Sequence, residues 1–398
     1  MEPVRMAILT TDRVGRAVPA PRWPQRSTFR ELIAVGRPMG VDVFVAAPTD
    51  FDWNRGIVHG YTVRERGDRA FWVRRPYPLP DVLYNRVPSR TAEGRWVVRA
   101  CLARMSRRIG PALFNPFYLN KASVFRLLAR DPAVAPYLPP TRTVRSWADV
   151  EAMLNRYGRV YLKPARGSLG NHTVEITDSG RDGRRRYRYR YNLTGGRTRG
   201  AYARHLDGVR RALHPLLSHR PYVVQKAIPL ARLNGRPFDV RALVQKNEEG
   251  VWTFTGAAAR VAGPGQITTH VPRGGSRASL EEALSAFSPE VAEGIQKELV
   301  TMTLAIARAV EAGSHRNFAE LSMDVGIDES GRPWLFEVNS KPLRFDETPI
   351  RRRAQEKLIA YARAIARGQA APRRYDGDGL EMGVPVDLES SSSAAAVD

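Results

Sequence analysis

Two alternating stretches near the C-terminal end of the chain, joined by a short polar turn, constrain the fold more than any other feature. Residues 321–327 and 333–339 carry apolar side chains at alternate positions, and the Asp-Glu-Ser-Gly-Arg segment between them is typical of a turn. The pattern predicts an antiparallel hairpin. If residues 329–332 form the loop, Asp324 lies directly opposite Glu337, and Asn339 shares their face.

The two faces of this predicted hairpin differ in chemistry. One face is apolar and is expected to enter a core through Met323, Val325, Phe336 and Val338. The other gathers the carboxylates of Asp324 and Glu337 and the amide oxygen of Asn339. Mg²⁺ takes few protein ligands and shares its shell with water and phosphates, so these three residues are a candidate site for Mg²⁺ or Mn²⁺. The alternative is a solvated face with ordinary acidic residues.

A second candidate element carries a lysine ahead of a glycine-containing loop. Residues 160–163 alternate apolar and polar positions, which predicts a strand with the Lys163 ammonium on its polar face. Gly167, Ser168 and Gly170 follow, and glycines let backbone N–H groups approach a phosphate closely. The spacing is neither that of a P-loop nor that of a Rossmann fingerprint. A surface lysine before a hairpin turn is the alternative.

The order of these motifs resembles the ATP-grasp superfamily. The series is Lys121 in the first turn of a helix, Lys163 with its loop, the strand ending at residues 225–228, the pair Asp239 and Arg241, and the hairpin. More narrowly, the motifs at residues 84–90, 138–141, 235–241, 245–247 and 337–342 resemble the YheC/YheD group of endospore coat-associated proteins. The resemblance covers about residues 81–365. It implies an α/β (α+β) chain with an ATP-grasp fold behind an N-terminal pre-ATP-grasp α/β domain.

The resemblance also implies which residues bind nucleotide phosphates. Lys121 and Lys163 would contact the α- and β-phosphates as point charges, a task that suits lysine. Gly167, Ser168 and Gly170 would form a mobile loop over the phosphates.

The adenine and ribose are expected at a hinge between two lobes. Gln225, Lys226, Ala227 and Ile228 match this hinge, where backbone groups read the adenine edge and a side chain holds the ribose. Many relatives have a glutamate at the ribose position, where this chain has Gln225 and Lys226. The resemblance assigns Asp239 to the nucleotide side as well.

The implied reaction is ATP-dependent ligation. Asp239 and Arg241 match an Asp-x-Arg pair whose arginine is expected to face phosphate or the reacting carboxylate, and Arg260 resembles an arginine that stabilises an acyl-phosphate. A substrate carboxylate would attack the γ-phosphoryl group, and an amine, thiol or hydroxyl would then attack the activated acyl carbon. His172 and His270 are weak candidates for a general base.

Composition limits the class of protein. With 398 residues and 43% hydrophobic content, the chain can bury a sizeable core, and no apolar run is long enough to span a bilayer. The single cysteine, Cys101, excludes an intrachain disulfide and is expected to be buried. A cytoplasmic protein, or one associated with the spore or the spore coat, is the expectation.

The formal charge of +23 suggests other partners. Residues 181–191 interleave arginine and tyrosine, as in proteins that track nucleic-acid phosphates and stack bases. An exposed strand with alternating arginines and tyrosines near the nucleotide lid is the alternative. A third interpretation is a basic surface that steers an acidic polymer or anionic cell-envelope precursor to the ligase.

Three units are expected along the chain. Residues 1–105 predict a β-α-β unit, with strands at 6–10 and 41–46 around a helix at 29–36. Residues 106–367 would form the ATP-grasp domain, with a lid lobe at about 144–221 and an amphipathic helix at 289–312. Residues 368–398 predict a disordered tail. A non-catalytic coat scaffold that keeps ATP as a structural ligand is the alternative to the ligase.

Overall fold

Three β-sheets, each with helices packed against it, make up the described part of the chain. The computed structural model describes residues 2–11, 23–67, 69–165, 172–180, 187–193, 197–218, 221–263 and 275–370. Helices and strands alternate over much of this length, so the predicted α/β class is confirmed.

The N-terminal sheet confirms the predicted β-α-β arrangement. Its strand order is β3-β4-β2-β1-β6-β7, with β5 paired to β4. The strands β2, β1, β6 and β7 run parallel, whereas β4 and β5 form a long antiparallel ribbon. The elements are β1 (Val4–Leu9), α1 (Arg26–Gly36), β2 (Val41–Ala46), β3 (Phe51–Asp52), β4 (Ile57–Arg66), β5 (Arg69–Pro78), β6 (Val82–Asn85), α2 (Arg90–Glu93), α3 (Trp96–Ile109) and β7 (Leu113–Phe114).

Both faces of this sheet are covered, as parallel strands require. The helix α3 packs on one face through Val98, Cys101 and Met105, and it continues across the junction expected between residues 105 and 106. The other face is covered by α1 and by the last helix, α9 (Thr348–Ala366). Cys101 is buried as expected, and burial raises the pKa of its thiol to about 12.

The middle sheet spans residues 141–226, slightly more than the segment of about residues 144–221 for which a lid is predicted, and is called the lid sheet below. Its order is β12-β11-β10-β9-β13-β8. The helices α5 and α6 cover one face around a core that includes Val160, Leu162 and Val224. The elements are β8 (Thr141–Thr143), α5 (Trp147–Tyr157), β9 (Arg159–Pro164), β10 (Val174–Asp178), β11 (Tyr187–Asn192), β12 (Thr198–Ala203), α6 (Leu206–Leu217) and β13 (Tyr222–Lys226).

The arginine and tyrosine stretch is partly described, because residues 181–186 lie outside the described ranges. Residues 187–192 form β11, in which Tyr187 is buried and Tyr189 and Tyr191 pack against the lid core. Arg190 instead pairs with the buried Glu175, 2.6 Å from Nε to Oε2. The tyrosines of β11 are therefore packing residues, which removes the base-stacking surface that the nucleic-acid hypothesis needs.

The C-terminal sheet has the order β17-β16-β15-β18-β19, with β14 paired to β15. The helices α4 and α8 cover the face that carries Val240, Met323 and Val338. The elements are α4 (Lys121–Leu128), β14 (Arg232–Leu233), β15 (Arg236–Lys246), β16 (Trp252–Val261), β17 (Ser276–Ser279), α7 (Leu280–Leu284), α8 (Pro289–Ser314), β18 (Glu320–Ile327) and β19 (Pro333–Asn339).

The predicted amphipathic helix is α8, which extends two residues beyond the expected end. Five members of its apolar stripe are buried: Ile295, Leu299, Met302, Ile306 and Val310. The sixth, Val291, is 42% exposed, because the first turn of the helix extends beyond the edge of the core.

The end of the chain differs from the expected tail in one respect. Ala370 is buried against the N-terminal sheet, so ordered structure extends at least to residue 370 rather than ending at 367. Residues 371–398 lie outside the described ranges. No helix in the described ranges has the length and apolar character needed to cross a membrane.

Candidate active site

The polar side chains of the predicted hairpin lie on one face of the C-terminal sheet. Asp324 on β18 pairs directly with Glu337 on β19, as the sequence predicts, and Arg241 on β15 pairs with Asp324 from the other side. Asn339 lies two residues beyond Glu337 and pairs with Ser322. One row across three strands therefore brings together an arginine and two carboxylates.

The turn of this hairpin explains its register. Asp328 accepts hydrogen bonds from the backbone N–H groups of Ser330 and Arg332 at 2.9 and 3.0 Å. Gly331 has φ of 89°, a conformation that glycine adopts readily. The loop closes at the position that sets Asp324 opposite Glu337.

Phe336 is a correction to the predicted alternation. A bulge between Asp324 and Val325 shifts the register, so Val325 pairs with Leu335 and Leu335 takes the core position expected for Phe336. Phe336 instead lies on the polar side, where its ring centroid is 5.1 Å from the Lys163 ammonium.

Lys121 reaches this face from the first turn of α4. The side chain of Asn120 caps the helix by accepting from the N–H groups of Ala122 and Ser123. The Lys121 ammonium forms an ion pair with Glu337, 2.9 Å from Nζ to Oε2. The predicted lysine of the helix start is thus in direct contact with a predicted metal ligand.

Lys163 approaches the same site from the lid sheet. Its Nζ donates to Oε1 of Gln225 at 2.5 Å. Burial, together with the positive charge of Lys121, lowers the pKa of Lys163 to about 8, although Glu337 opposes this shift. Lys121 and Lys163 therefore both approach β19, since Lys121 contacts Glu337 and the Lys163 ammonium lies against the ring of the adjacent Phe336.

The predicted hinge, residues 225–228, begins in the last two residues of β13 and continues beyond the strand. Gln225 is buried, and its Nε2 donates to Thr141 at 2.9 Å. The N–H groups of Lys226 and Ala227 donate to backbone carbonyls of the protein, whereas the Ile228 N–H has no acceptor among the described residues. The Lys226 ammonium lies 5.5 Å from the Tyr157 ring centroid.

Asp239 and Arg241 share one face of β15, as predicted, but they have different partners. Asp239 holds Arg260 through two hydrogen bonds of 2.8 Å, and Arg260 also lies 3.0 Å from Asp324. Burial opposes the charge of Arg260, yet the two carboxylates raise its pKa above the ordinary value. The positive charge of Arg260 is therefore balanced by these two carboxylates.

Several predicted residues lie outside the described ranges. They are Gly167, Ser168 and Gly170 of the expected phosphate loop and His270 of the expected substrate loop. Of the two histidines considered as bases, His172 is described, and its backbone N–H donates to Asn192.

A second charged group, with no role predicted from the sequence, lies beside this site. Glu93 of α2 binds Lys341 and also accepts from Asn85 and the Tyr118 N–H. Burial lowers the pKa of Lys341 to about 8, although Glu93 opposes this. Arg90 precedes Glu93 on α2, and Glu337 is the carboxylate that most affects its pKa. Residues 85–90 and 341 belong to the motifs at 84–90 and 337–342, and those motifs were the sequence signal that could have pointed to this group.

The donor set fits a hard divalent cation. Asp324 and Glu337 supply carboxylates and Asn339 an amide oxygen, which suits Mg²⁺ since it keeps several water or phosphate ligands. In the described ranges no cluster of three or more His, Cys, Asp and Glu side chains is arranged to hold a metal. A site at the hairpin would depend on phosphate or water to complete its shell.

Comparison with known proteins identifies the family of the chain. The model of a family described as YheC/D-like ATP-grasp matches residues 110–365, more than half of the chain. The chain is 29% identical over 322 residues to the endospore coat-associated protein YheD of Bacillus subtilis (strain 168), covering 79% of this chain and 68% of that protein. It is 21% identical to YheC of the same strain over 228 residues, covering 56% of this chain and 60% of YheC.

Among solved structures, D-alanyl-alanine synthetase A from Vibrio cholerae O1 biovar eltor aligns over 92% of this chain and 98% of that one. The TM-score is 0.50 at 11% identity, a likeness that concerns the fold alone. With the family match, it confirms the predicted ATP-grasp fold.

Proposed function

The chain belongs to the YheC/D-like ATP-grasp family, and from that premise we propose that it is an ATP- and Mg²⁺-dependent carboxylate ligase. The observation that carries the proposal is the approach of two lysines from different elements to the same part of β19. Lys121 forms an ion pair with Glu337, and the Lys163 ammonium lies 5.1 Å from the ring centroid of the adjacent Phe336. Positive charge converging on carboxylates is what binding of Mg²⁺ and triphosphate requires.

The proposed nucleotide site lies between β9 and β19. Lys121 and Lys163 would contact the α- and β-phosphates, and Gly167, Ser168 and Gly170 would cover them. When nucleotide binds, its phosphates would replace Glu337 as the partner of Lys121 and Gln225 as the partner of Lys163.

The adenine would bind at residues 225–228. The Ile228 N–H has no acceptor among the described residues, so it is available to an adenine ring nitrogen, and carbonyl groups of Lys226 and Ala227 are candidates for the amino group. Gln225 stands where a ribose-binding glutamate is common, and its amide would hold the ribose hydroxyls with neutral hydrogen bonds. Asp239 would act indirectly, because it is engaged with Arg260.

Asp324, Glu337 and Asn339 would hold Mg²⁺ or Mn²⁺. The metal would neutralise phosphate charge at the reacting end of ATP. Lys121 now pairs with Glu337, and Arg260 pairs with Asp324. Because the metal would take over these carboxylates, the two cations could bind phosphate oxygens instead.

The ligase reaction follows from these charges. A substrate carboxylate attacks the γ-phosphoryl group, which gives an acyl-phosphate and ADP, and an amine or thiol then displaces phosphate. Arg241 and Arg260 would stabilise the negative charge on the acyl-phosphate and on the departing phosphate. No protein nucleophile is needed, since the substrate supplies both reacting groups.

Release of ADP with a pool of amino acids and cell-wall precursors tests this function. Hydroxylamine added to the same mixture would capture an acyl-phosphate as a hydroxamate. We expect Glu337→Ala to abolish both products, and Glu356→Ala, an exposed acid on α9, to leave them unchanged. A rate that is equal in wild type and Glu337→Ala would defeat the ligase proposal.

A non-catalytic ATP-binding coat scaffold is the second candidate, favoured by the description of YheD and YheC as endospore coat-associated. A scaffold would bind Mg²⁺ and ATP but release no ADP with any carboxylate. Under either function, the proposed location is the cytoplasm or the spore, and an acidic polymer or an anionic cell-envelope precursor is the class of substrate that a basic protein attracts.

A further inference from the structure

Two arginines from different parts of the fold lie beside the hairpin. Arg241 on β15 pairs with Asp324, which in turn pairs with Glu337. Arg90 begins α2, between β6 and β7 of the N-terminal sheet, and its guanidinium lies 5.4 Å from the Tyr118 ring centroid, with the Lys341 ammonium 4.5 Å from the same ring. Burial lowers the pKa of both arginines, Asp324 and then Glu337 oppose the shift at Arg241, and Glu337 opposes it at Arg90.

Neither arginine forms an ion pair with any described carboxylate. Among the described residues, Arg241 makes one long hydrogen bond, 3.4 Å from Nη2 to the Leu343 carbonyl, and its buried Nε meets no hydrogen-bond acceptor. Within the same residues, Arg90 likewise donates one hydrogen bond, 3.4 Å to the Tyr118 carbonyl. Two other cations nearby differ, because Lys121 forms an ion pair with Glu337 and Arg260 forms one with Asp239.

Both guanidinium groups are held in position by aromatic rings. Arg90 lies 5.4 Å from the Tyr118 ring centroid, and Arg241 lies 5.3 Å from that of Phe345. Tyr118 is fixed in turn, because its hydroxyl donates to the Val87 carbonyl at 3.0 Å. The arginines thus lose little freedom when they bind an anion.

The loop that follows β19 is fixed on the same side. Arg86 donates to the Pro342 carbonyl at 2.9 Å, and Arg344 pairs with Glu31 of α1 at 2.8 Å. The loop whose Leu343 carbonyl accepts a hydrogen bond from Arg241 is therefore fixed to the N-terminal sheet. This attachment keeps the separation between Arg90 and Arg241 constant.

We propose that Arg90 and Arg241 form a subsite for the carboxylate of the acyl-donor substrate, shared between the N-terminal and C-terminal sheets. The inference rests on the proposed ligase function and adds a substrate-binding residue, Arg90, from outside the family match at residues 110–365. A partly desolvated cation without an ion-pair partner is costly, and a bound anion removes that cost. A planar carboxylate matches the guanidinium fork, whereas the phosphates already have Lys121 and Lys163.

Calorimetric titration of the full chain with succinate, at constant ionic strength and with Mg²⁺ and ADP present, tests the subsite. We expect Arg90→Gln and Arg241→Gln each to weaken succinate binding about tenfold or more, the usual effect of losing a hydrogen bond to a charged group. Arg90→Lys should retain part of the affinity, since a point charge lacks the fork. Arg99→Gln, at an exposed position on α3, should bind as wild type does.

The outcomes separate this inference from the ligase proposal. Wild type that does not bind succinate, or Arg90→Gln that binds it equally well, would overturn the subsite. Strong competition by inorganic phosphate would assign these arginines to the γ-phosphate and would also overturn it. Failure of ADP to bind would reject the proposed function alone, because the same titration without nucleotide still measures the two arginines. Unchanged thermal unfolding of each variant would exclude misfolding as the cause.

Discussion

Lys163 is a buried ammonium whose charge depends on what binds beside it. Its hydrogen-bond partner is the neutral Gln225 side chain, and its pKa of about 8 leaves it mostly protonated at neutral pH and mostly neutral near pH 9. A triphosphate would supply the negative charge that Gln225 lacks, so nucleotide binding should favour the protonated amine.

This property predicts a pH dependence of nucleotide binding. The affinity for Mg²⁺ with a non-hydrolysable ATP analogue should fall as pH rises through about 8, by up to about tenfold per pH unit if the ammonium is essential. Lys163→Arg should remove the dependence between pH 7 and 9, because arginine stays charged. Binding constants at constant Mg²⁺ and ionic strength would measure it, and a flat wild-type profile would contradict it.

The lowered pKa of Lys163 affects stability in the opposite direction, because stability should rise with pH whereas nucleotide affinity should fall. The native pKa of Lys163 is about 8, against an ordinary value of 10.5. Between these two values the unfolded chain binds a proton that the native protein does not, so the contribution of Lys163 to the free energy of unfolding rises with pH across that window.

Sequence patterns predicted the hairpin residues of the candidate site, but not the orientation of Phe336 or the approach of Arg90. Asp324 and Glu337 could be paired because a tight polar turn and a period of two set the register. Phe336 could not be oriented, since a bulge breaks that period without a sequence signal. Arg90 was missed as a site residue because its approach to Glu337 depends on packing between distant segments.

At the scale of elements, the close approach of α1 to β2 supports the first β-α-β unit. Gly36 ends α1 where a Cβ atom would lie 2.8 Å from the Val41 carbonyl oxygen and 2.6 Å from a methyl group of Val43. Gly294 on α8 is the opposite case, because a Cβ atom there would meet nothing within 4 Å. The first glycine is required by packing, and the second only weakens its helix.

These two glycines give a matched pair of variants. Gly36→Ala should lower the free energy of unfolding by about 1–3 kcal/mol, because the backbone of β2 cannot move away easily. Gly294→Ala should raise it by about 0.5–1 kcal/mol through helix propensity. Urea unfolding measures both, and destabilisation of equal size in the two variants would refute the packing argument.

At the scale of the whole molecule, the charge of +23 is spread over all three sheets rather than concentrated on one aromatic strip. The tyrosines of β11, the strand on which the nucleic-acid hypothesis depends, pack into the lid core. Glu175 forms ion pairs with Arg159 and Arg190. The remaining charge is expected to attract polyanions without sequence preference and to strengthen association at low salt.

A salt series distinguishes this general attraction from binding at the proposed nucleotide site. Affinity for a short DNA duplex should fall by several orders of magnitude between 50 and 200 mM salt if several phosphates are contacted, whereas affinity for the ATP analogue should fall much less. Replacing Arg188 and Arg190 by serine should leave DNA affinity within about twofold, as for two contacts among many. Selective loss of DNA binding in that variant would restore the nucleic-acid hypothesis.

The last helix joins the two ends of the chain. The helix α9 follows the hairpin of the C-terminal sheet but buries Leu358, Ile359 and Ile365 against the N-terminal sheet. Tyr361 of α9 is fully buried, and its hydroxyl donates to Asn317 at 2.9 Å. The N-terminal sheet would expose an apolar face without α9, so the units expected from sequence depend on each other for stability.

This dependence predicts that residues 1–118 alone do not fold. The fragment should bind a hydrophobic dye and lack a near-ultraviolet dichroism signal, because no helix replaces α9. In the full chain, Tyr361→Ala should lower the free energy of unfolding by about 3–5 kcal/mol, and Tyr361→Phe, which keeps the ring, by about 1 kcal/mol. Probes of the N-terminal sheet and of the nucleotide site should report one coincident transition. Cooperative unfolding of the fragment would show instead that the N-terminal sheet is stable alone, and Arg90 would then lie on a separate body that moves relative to Arg241.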